Sequence, residues 1–457
     1  MQQRVSIHGQ WSSRLAFILA ATGSAVGLGN IWKFPYITGE YGGGAFVLVY
    51  LACVVAIGLP VMMAEIMLGR RGRQNPINTM GTLAEEAGRS RFWSLIGWSG
   101  VLAGFLILSY YSVIAGWAIA YVFKTASGAL IGVDAETAGS LFGSFVSDPW
   151  QLLAWHSLFM VLTALVIARG VQSGLERAVR WLMPGLFALL LVLLGYSISN
   201  GAFVEGLEFL FKPDFSKLST SALLTAMGHA FFTLSLGMGA IMMYGSYLAQ
   251  DASIGKTSLI IAGLDTLVAL LAGMVIFPIV FANGLEPAAG PGLIFKTLPI
   301  AFGQMPMGIF FGSLFFVLLV FAAWSSAISL VEPAVAWLVE NRDMSRIKAT
   351  VLVALVTWAL GLITVMSFSD WAFGFSFLGV QKENGLFDVL DLLTTNFMLP
   401  LGGLAIALFA TWAMQRKAVT EELAMGEGLA FRGWYFLTRY VTPLGLVFVF
   451  LNGLGLL

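Results

Sequence analysis

Residues 15–37 read LAFILAATGSAVGLGNIWKFPYI, a run apolar enough to cross a bilayer that carries Gly23, Gly27 and Gly29 within seven residues and Pro35 soon after. Each Gly inside a helix costs about 1 kcal/mol relative to Ala, so an unbroken helix is disfavoured at the middle of the run. Residues 223–248, LLTAMGHAFFTLSLGMGAIMMYGSYL, repeat the pattern, with Gly237 and Gly239 at the centre and Thr233 and Ser235 just before them. At mid-membrane depth, unpaired backbone groups are tolerated only where protein buries them or they line a polar cavity. Small residues also serve close helix packing, which would account for one such run. Two of them, first and sixth among the spans, point instead to helices interrupted around a transport site.

Composition supports a membrane setting. Of 457 residues, 58% are hydrophobic and 11% charged, against about 25% charged in a soluble domain. The surface must therefore be solvated by lipid. Net charge is zero, so there is no basic excess to neutralise phosphates, and nucleic acid is excluded as a partner. A single Cys53 rules out an internal disulfide, and His8, His156 and His229 make no zinc-type cluster. With no nucleophile–base pair in view, the chain does not read as an enzyme. The first apolar run lacks an A-x-A site, so we read a retained helix rather than a signal peptide.

At about 20 apolar residues per crossing, eleven spans are expected, near 14–37, 43–69, 95–123, 151–169, 178–199, 220–248, 255–283, 305–339, 348–367, 388–415 and 433–456. Residues 1–457 thus form one all-α polytopic transmembrane domain. With the N-terminus in the cytoplasm, only Lys33, Lys124, Lys212, Lys217, Lys296 and Lys382 fall outside, and the other eighteen of the 24 Lys and Arg lie inside. The odd number of spans puts the C-terminus outside.

Three segments carry a family resemblance: GSAVGLGNIWKFPY at 23–36, GGGAF at 42–46 and FFTLSLGMGA at 231–240. Together the chain resembles the neurotransmitter:sodium symporter family from about Trp11 to its end. The resemblance implies a leucine-transporter-type fold: inverted five-helix repeats at 14–199 and 220–415, plus an eleventh helix at 433–456. It also implies sodium-coupled symport by alternating access in the cell inner membrane, with a single chain functionally sufficient.

Two sodium sites follow from the resemblance. Ala25, Asn30, Thr233 and Asp265 would form the first, completed by the substrate carboxylate. Gly23, Val26, Ala322, Ser325 and Ser326 would form the second, the serines lying in AAWSSAISL (322–330). Adjacent serines in an apolar helix otherwise read as groups bonding back to their own helix. Asp265 replaces the usual Asn, and an acid in mid-membrane is expensive and usually functional. Ala269 and His229 stand where chloride-binding relatives have Ser and Gln, although Tyr50 matches a chloride-site residue. Chloride-independent transport is expected, with Asp265 supplying the negative charge and a possible route for proton counter-movement.

Gly27 occupies the position where monoamine transporters carry Asp, so a ligand with its own carboxylate, a neutral and hydrophobic or aromatic amino acid, is expected. Its carboxylate would meet Leu28, Gly29 and Tyr111, and its ammonium carbonyls near Ala25, Phe232 and Ser235. Ser24, Ile107, Phe232, Met238, Ser326 and Leu330 would line the side-chain pocket. Lys33 and Asp391 would form the outer gate, and Trp11, Tyr247 and Glu340 the inner one, with His8, Arg4 or a neighbour as the gate cation. Glu65 would support the interrupted part of the sixth helix. Gly174 and Pro184 both weaken a helix, so the stretch between them either unwinds to hydrate the second sodium site or marks a loop-to-helix boundary. Alternatives are another small carboxylated solute, or a non-transporting receptor or channel.

Overall fold

The computed structural model describes residues 4, 6–287, 292–377 and 380–456. Nine helices among them are long and apolar enough to span a membrane: α2 (Gly44–Gly72), α3 (Arg91–Ala126), α4 (Pro149–Ala168), α5 (Val171–Asn200), α7 (Ile254–Ala282), α8 (Gly308–Arg342), α9 (Arg346–Ser367), α10 (Gly385–Ala413) and α11 (Leu429–Gly453). The remaining two expected spans are interrupted. α1a (Arg14–Ala25) and α1b (Gly29–Glu40) meet at a 51° bend. α6a (Thr220–Thr233) and α6b (Ala240–Ser246) are each too short to cross alone. The protein is an all-α polytopic membrane protein.

Each break follows from its residues. Ser13 caps the start of α1a by accepting from the Ala16 N–H, and the helix stops where Val26 turns extended, at φ −68° and ψ 111°. In the sixth span, Ser235, Gly237 and Gly239 all have left-handed φ, at +55°, +78° and +75°, which glycine adopts freely and other residues rarely do. Gly237 has a second constraint, because a Cβ there would lie 2.6 Å from the Leu399 carbonyl oxygen. Its N–H, freed from the helix, donates to the Glu65 carboxylate at 2.7 Å.

One boundary differs markedly from the sequence expectation. α5 begins at Val171 rather than near 178, and its first turn, Val171–Glu176, is a wide π-helical one following Gly170 at φ +89°. Gln172, Ser173 and Glu176 are polar and hide this turn from a reading based on apolar runs. The Gly174–Pro184 stretch is therefore wound in this structure. Short helices at Pro76–Glu86, Ala135–Val146, Phe203–Phe211 and Arg416–Leu423 lie between spans. A small hairpin pairs Phe375–Phe377 with Val380–Lys382. The end of the bundle that carries the N-terminus is called the N-terminal face below.

Candidate transport site at the two helix breaks

Stopping α1a at Val26 leaves the carbonyls of its last turn without helical partners. Ser326 on α8 meets them: its Oγ lies 3.0 Å from Val26 O, 3.1 Å from Ser24 O and 3.4 Å from Gly23 O. One hydroxyl has a single proton to donate, so this cluster is rich in oxygen and short of donors, the chemistry of a hard cation. Gly23 packs against Ser325, whose Cβ would stand 3.2 Å from a Cβ on residue 23. The Ser325 hydroxyl, however, bonds back to Phe321 O and Ala322 O, both at 3.1 Å. Gly23, Val26, Ala322, Ser325 and Ser326 are thus brought together, with Ser326 alone donating across to the break.

On the other side of the break, three buried side chains converge. Asn30 Nδ2 donates to Asp265 Oδ1 at 2.8 Å and to the Asp265 carbonyl at 3.0 Å. Thr233 Oγ1 donates to both Asp265 oxygens, at 3.3 and 3.2 Å. Asn30 Oδ1 accepts from the Gly27 N–H at 3.0 Å, bracing the interrupted turn. Ser235, held at positive φ, donates to Ser24 O at 2.7 Å and so ties the break in the sixth span to that in the first.

Between these groups lies a cavity of about 30 Å³. Its walls include Ser24, Ala25, Leu28, Gly29, Ile107, Tyr111, Phe232, Ser235, Met238, Ser326 and Leu330, which is every residue expected around the solute, together with Gly27 and Thr233. Tyr111 Oη accepts from the Leu28 N–H at 3.3 Å. A Cβ on Gly27 would sit 2.5 Å from Ser326 Oγ and 3.0 Å from Tyr111 Oη, so the position has no room for a side chain. Gly27→Ala is expected to weaken solute binding about tenfold or more, since overpacking costs about 1–3 kcal/mol. Ligand titration by scintillation proximity checks this, with unchanged affinity as the contrary result.

The gates are partly as expected. At the outer end, Lys33 Nζ lies over the Phe232 ring, 4.8 Å from its centroid. Among the described residues no ion pair within 4.0 Å joins Lys33 to Asp391, although the two charges interact across the gap. A lysine is a flexible point charge without a guanidinium fork, and here it settles on the aromatic lid. At the N-terminal face the group that meets Glu340 is His8, whose Nε2 lies 2.9 Å from Glu340 Oε1; Arg4 instead pairs with Glu86 at 2.9 Å. Glu340 also accepts from the Asn75 N–H at 2.8 Å and from Asn78 Nδ2 at 3.0 Å. Trp11 is buried under α1a, donating to Tyr244 O at 3.0 Å and stacking edge-on against Tyr244 and Tyr247.

Tyr247, the third residue expected at this gate, takes a different acid from Glu340. It donates to Glu332 Oε1 at 2.7 Å, and Arg346 grips both oxygens of that carboxylate, at 3.0 and 2.5 Å. This second latch joins α6b, α8 and α9, and Arg346 extends it to α4 through Ile167 O at 2.8 Å. The sequence reading missed it, although an acid such as Glu332 in a mid-membrane run is itself a signal. Ser329, whose hydroxyl accepts from Ser24 at 2.7 Å, was also missed.

Known proteins resemble this chain in sequence and in fold. The profile of the sodium:neurotransmitter symporter family matches residues 8–135 and 141–455. The chain belongs to that family. It is 40% identical over 456 residues, with 98% of each chain covered, to a Bacillus subtilis protein named as an uncharacterized sodium-dependent transporter. A counterpart in Methanocaldococcus jannaschii is 30% identical, with 95% of this chain and 88% of the other covered. The structure resembles the crystal structure of MhsT in complex with L-phenylalanine, with a TM-score of 0.89, 43% identity and coverage of 97% and 99%. The leucine-transporter-type fold follows, and so does the activity in outline: the protein is a sodium-dependent symporter, not an enzyme.

Proposed function

We propose that this symporter uses the sodium gradient to take up a neutral, hydrophobic or aromatic amino acid, binding it where the two breaks meet. The observation that carries the reading is the bare Gly27 flanked by the Leu28 N–H, Tyr111 Oη and the Ser326 hydroxyl. A helix N-terminus such as that of α1b favours an anion, so the solute brings its own carboxylate and needs no acid at position 27. The lining of the cavity among the described residues includes no charged side chain, which disfavours acidic and basic amino acids. A volume of about 30 Å³ holds only a few waters, so the solute enters by displacing Phe232 and Met238. The unbranched Met238 repacks easily, which suits ligands of differing shape, and MhsT was crystallised with L-phenylalanine.

Two sodium ions accompany the solute in this reading, one among Ala25, Asn30, Thr233 and Asp265, the other among Gly23, Val26, Ala322, Ser325 and Ser326. Transport needs no chloride, because Asp265 supplies the anion. The halves 14–199 and 220–415 act as the two inverted repeats, and the α5 segment from Gly174 to Pro184 unwinds to release the second ion. Its π-helical opening turn supports that role, since π turns occur frequently at functional sites. The protein sits in the bacterial inner membrane with the N-terminal face toward the cytoplasm and the C-terminus outside, and one chain suffices. Proteoliposomes loaded by an inward sodium gradient test the reading by competition among the standard amino acids. Neutral hydrophobic and aromatic members should compete, and the reading fails if only charged ones do or if nothing accumulates.

A further inference from the structure

An apolar groove lies away from the transport site, on the outer surface of the bundle between α3, α8 and α9, with a volume of about 800 Å³. Trp98, Leu102 and Phe105 line it from α3, Trp337 from α8, and Leu352 and Val356 from α9. The indoles of Trp98 and Trp337 meet edge-on, 5.1 Å between centroids, as its floor. Its extent along the membrane is limited. It reaches Val356 and Met398, which stand halfway along α9 and α10, and goes no further among its lining residues. From the ends of α8 and α9 at the N-terminal face, eight to ten residues of helix cover about 12–15 Å, half of a hydrocarbon core of about 30 Å. A partner's transmembrane helix would ask for complementarity across both leaflets, whereas this groove has the depth of one.

The rim at the N-terminal face carries positive charge. The Arg342 guanidinium lies over the Trp337 ring, 5.7 Å from its centroid. Lys348 stands one turn before Leu352 on α9, a spacing that puts the two on one helix face. Both cations are exposed, and neither makes an ion pair among the described residues. Glu85 pairs with Arg91 at 3.4 Å and Glu340 is bound by His8, Asn75 and Asn78, whereas the exposed Asp343 lies between the two cations in sequence and leaves them a net single positive charge. We propose that this groove holds one acyl chain of an anionic phospholipid, with its phosphate beside Arg342 and Lys348.

The groove backs directly onto the inner gate. Trp337 is three residues from Glu340 on α8, and Ile77, a further lining residue, lies between Asn75 and Asn78, which both donate to Glu340. A chain seated there packs the two elements that hold the Glu340 latch, and so favours the latched conformation. This inference goes beyond the transport reading and is tested without measuring transport.

The full-length protein is exchanged into phosphatidylcholine with or without phosphatidylglycerol, and retained lipid is counted by native mass spectrometry. One phosphatidylglycerol should stay bound in preference to phosphatidylcholine. Arg342→Gln and Lys348→Gln should each weaken retention about fivefold, the scale of one basic residue at a membrane surface, while Lys417→Gln on the same face should not. Trp98→Ala should weaken retention of both lipids by removing the floor. Equal retention of the two lipids, indifference to both rim substitutions, or a second copy of the chain as the retained mass would overturn the proposal. Hydrogen exchange reads the latch: the Asn75 amide should exchange more slowly with phosphatidylglycerol present, and identical exchange in both lipids rejects the coupling to Glu340.

Discussion

Arg346→Ala should release the N-terminal face of the symporter. Glu332 has no exposed surface, and Arg346 and Tyr247 are its partners. Removing the arginine leaves an uncompensated buried carboxylate, a change that costs about 3–5 kcal/mol. Because the contact joins α6b, α8 and α9, the cost falls on the conformation in which they are closed together. The closed-to-open ratio should fall more than about a hundredfold, as each 1.4 kcal/mol is a factor of ten. A cysteine introduced behind Trp11 should then react quickly with a membrane-impermeant maleimide in the variant and slowly in the parent. Pairing the substitution with Glu332→Gln should recover much of the protection, because no stranded charge remains. Equal reactivity of parent and Arg346→Ala would show that the latch holds nothing shut.

Asp265→Asn should make transport require chloride. The Asp265 carboxylate is wholly buried, 2.8 Å from Asn30 Nδ2 and bonded to Thr233. When ionised, a carboxylate so placed offsets a cation in a medium where a pair at 4 Å interacts by about 4 kcal/mol at an effective dielectric of 20. Asn keeps the size and the acceptor oxygen and loses the charge. Sodium-driven uptake by the parent should be equal in gluconate and chloride media. In the variant it should fall about tenfold or more in gluconate, the scale of roughly 1.4 kcal/mol or more, and recover in chloride. Among the described residues Tyr50 Oη and both ring nitrogens of His229 are buried without a hydrogen-bond partner, and the His229 ring is stacked on Phe34. Strict chloride dependence of the parent would sink the assignment.

The interrupted helices were legible because glycine chemistry is local. Gly237 and Gly239 take φ values that the sequence alone makes cheap, and Thr233 and Ser235 beside them supply the oxygens that a broken helix needs. Ser325 and Ser326 show the limit of local reading. As neighbours in an apolar helix they invite one interpretation, yet Ser325 bonds within its own helix and Ser326 reaches across to α1a. Which of the two faces the break depends on how α8 is rotated against α1a, and the local pattern does not give that. The Tyr247–Glu332–Arg346 latch was hidden for a related reason, since its members lie 85 and 14 residues apart and only packing brings them together. The start of α5 was hidden by the polarity of its first turn. How Lys33 divides itself between Asp391 and the Phe232 ring is likewise set by side-chain geometry, with the ammonium 4.8 Å from the ring centroid.

The closeness of Ser326 to Gly27 restricts how this pocket can evolve. An amine that lacks a carboxylate would want an acid at position 27, but the Ser326 oxygen fills that space. Deleting the oxygen first strips the Val26 and Ser24 carbonyls of their shared donor. Adding the acid first drives it into the serine. Either single step passes through a damaged ancestor, so a lineage changing its cargo in this way would have to cross a fitness valley or alter both positions together.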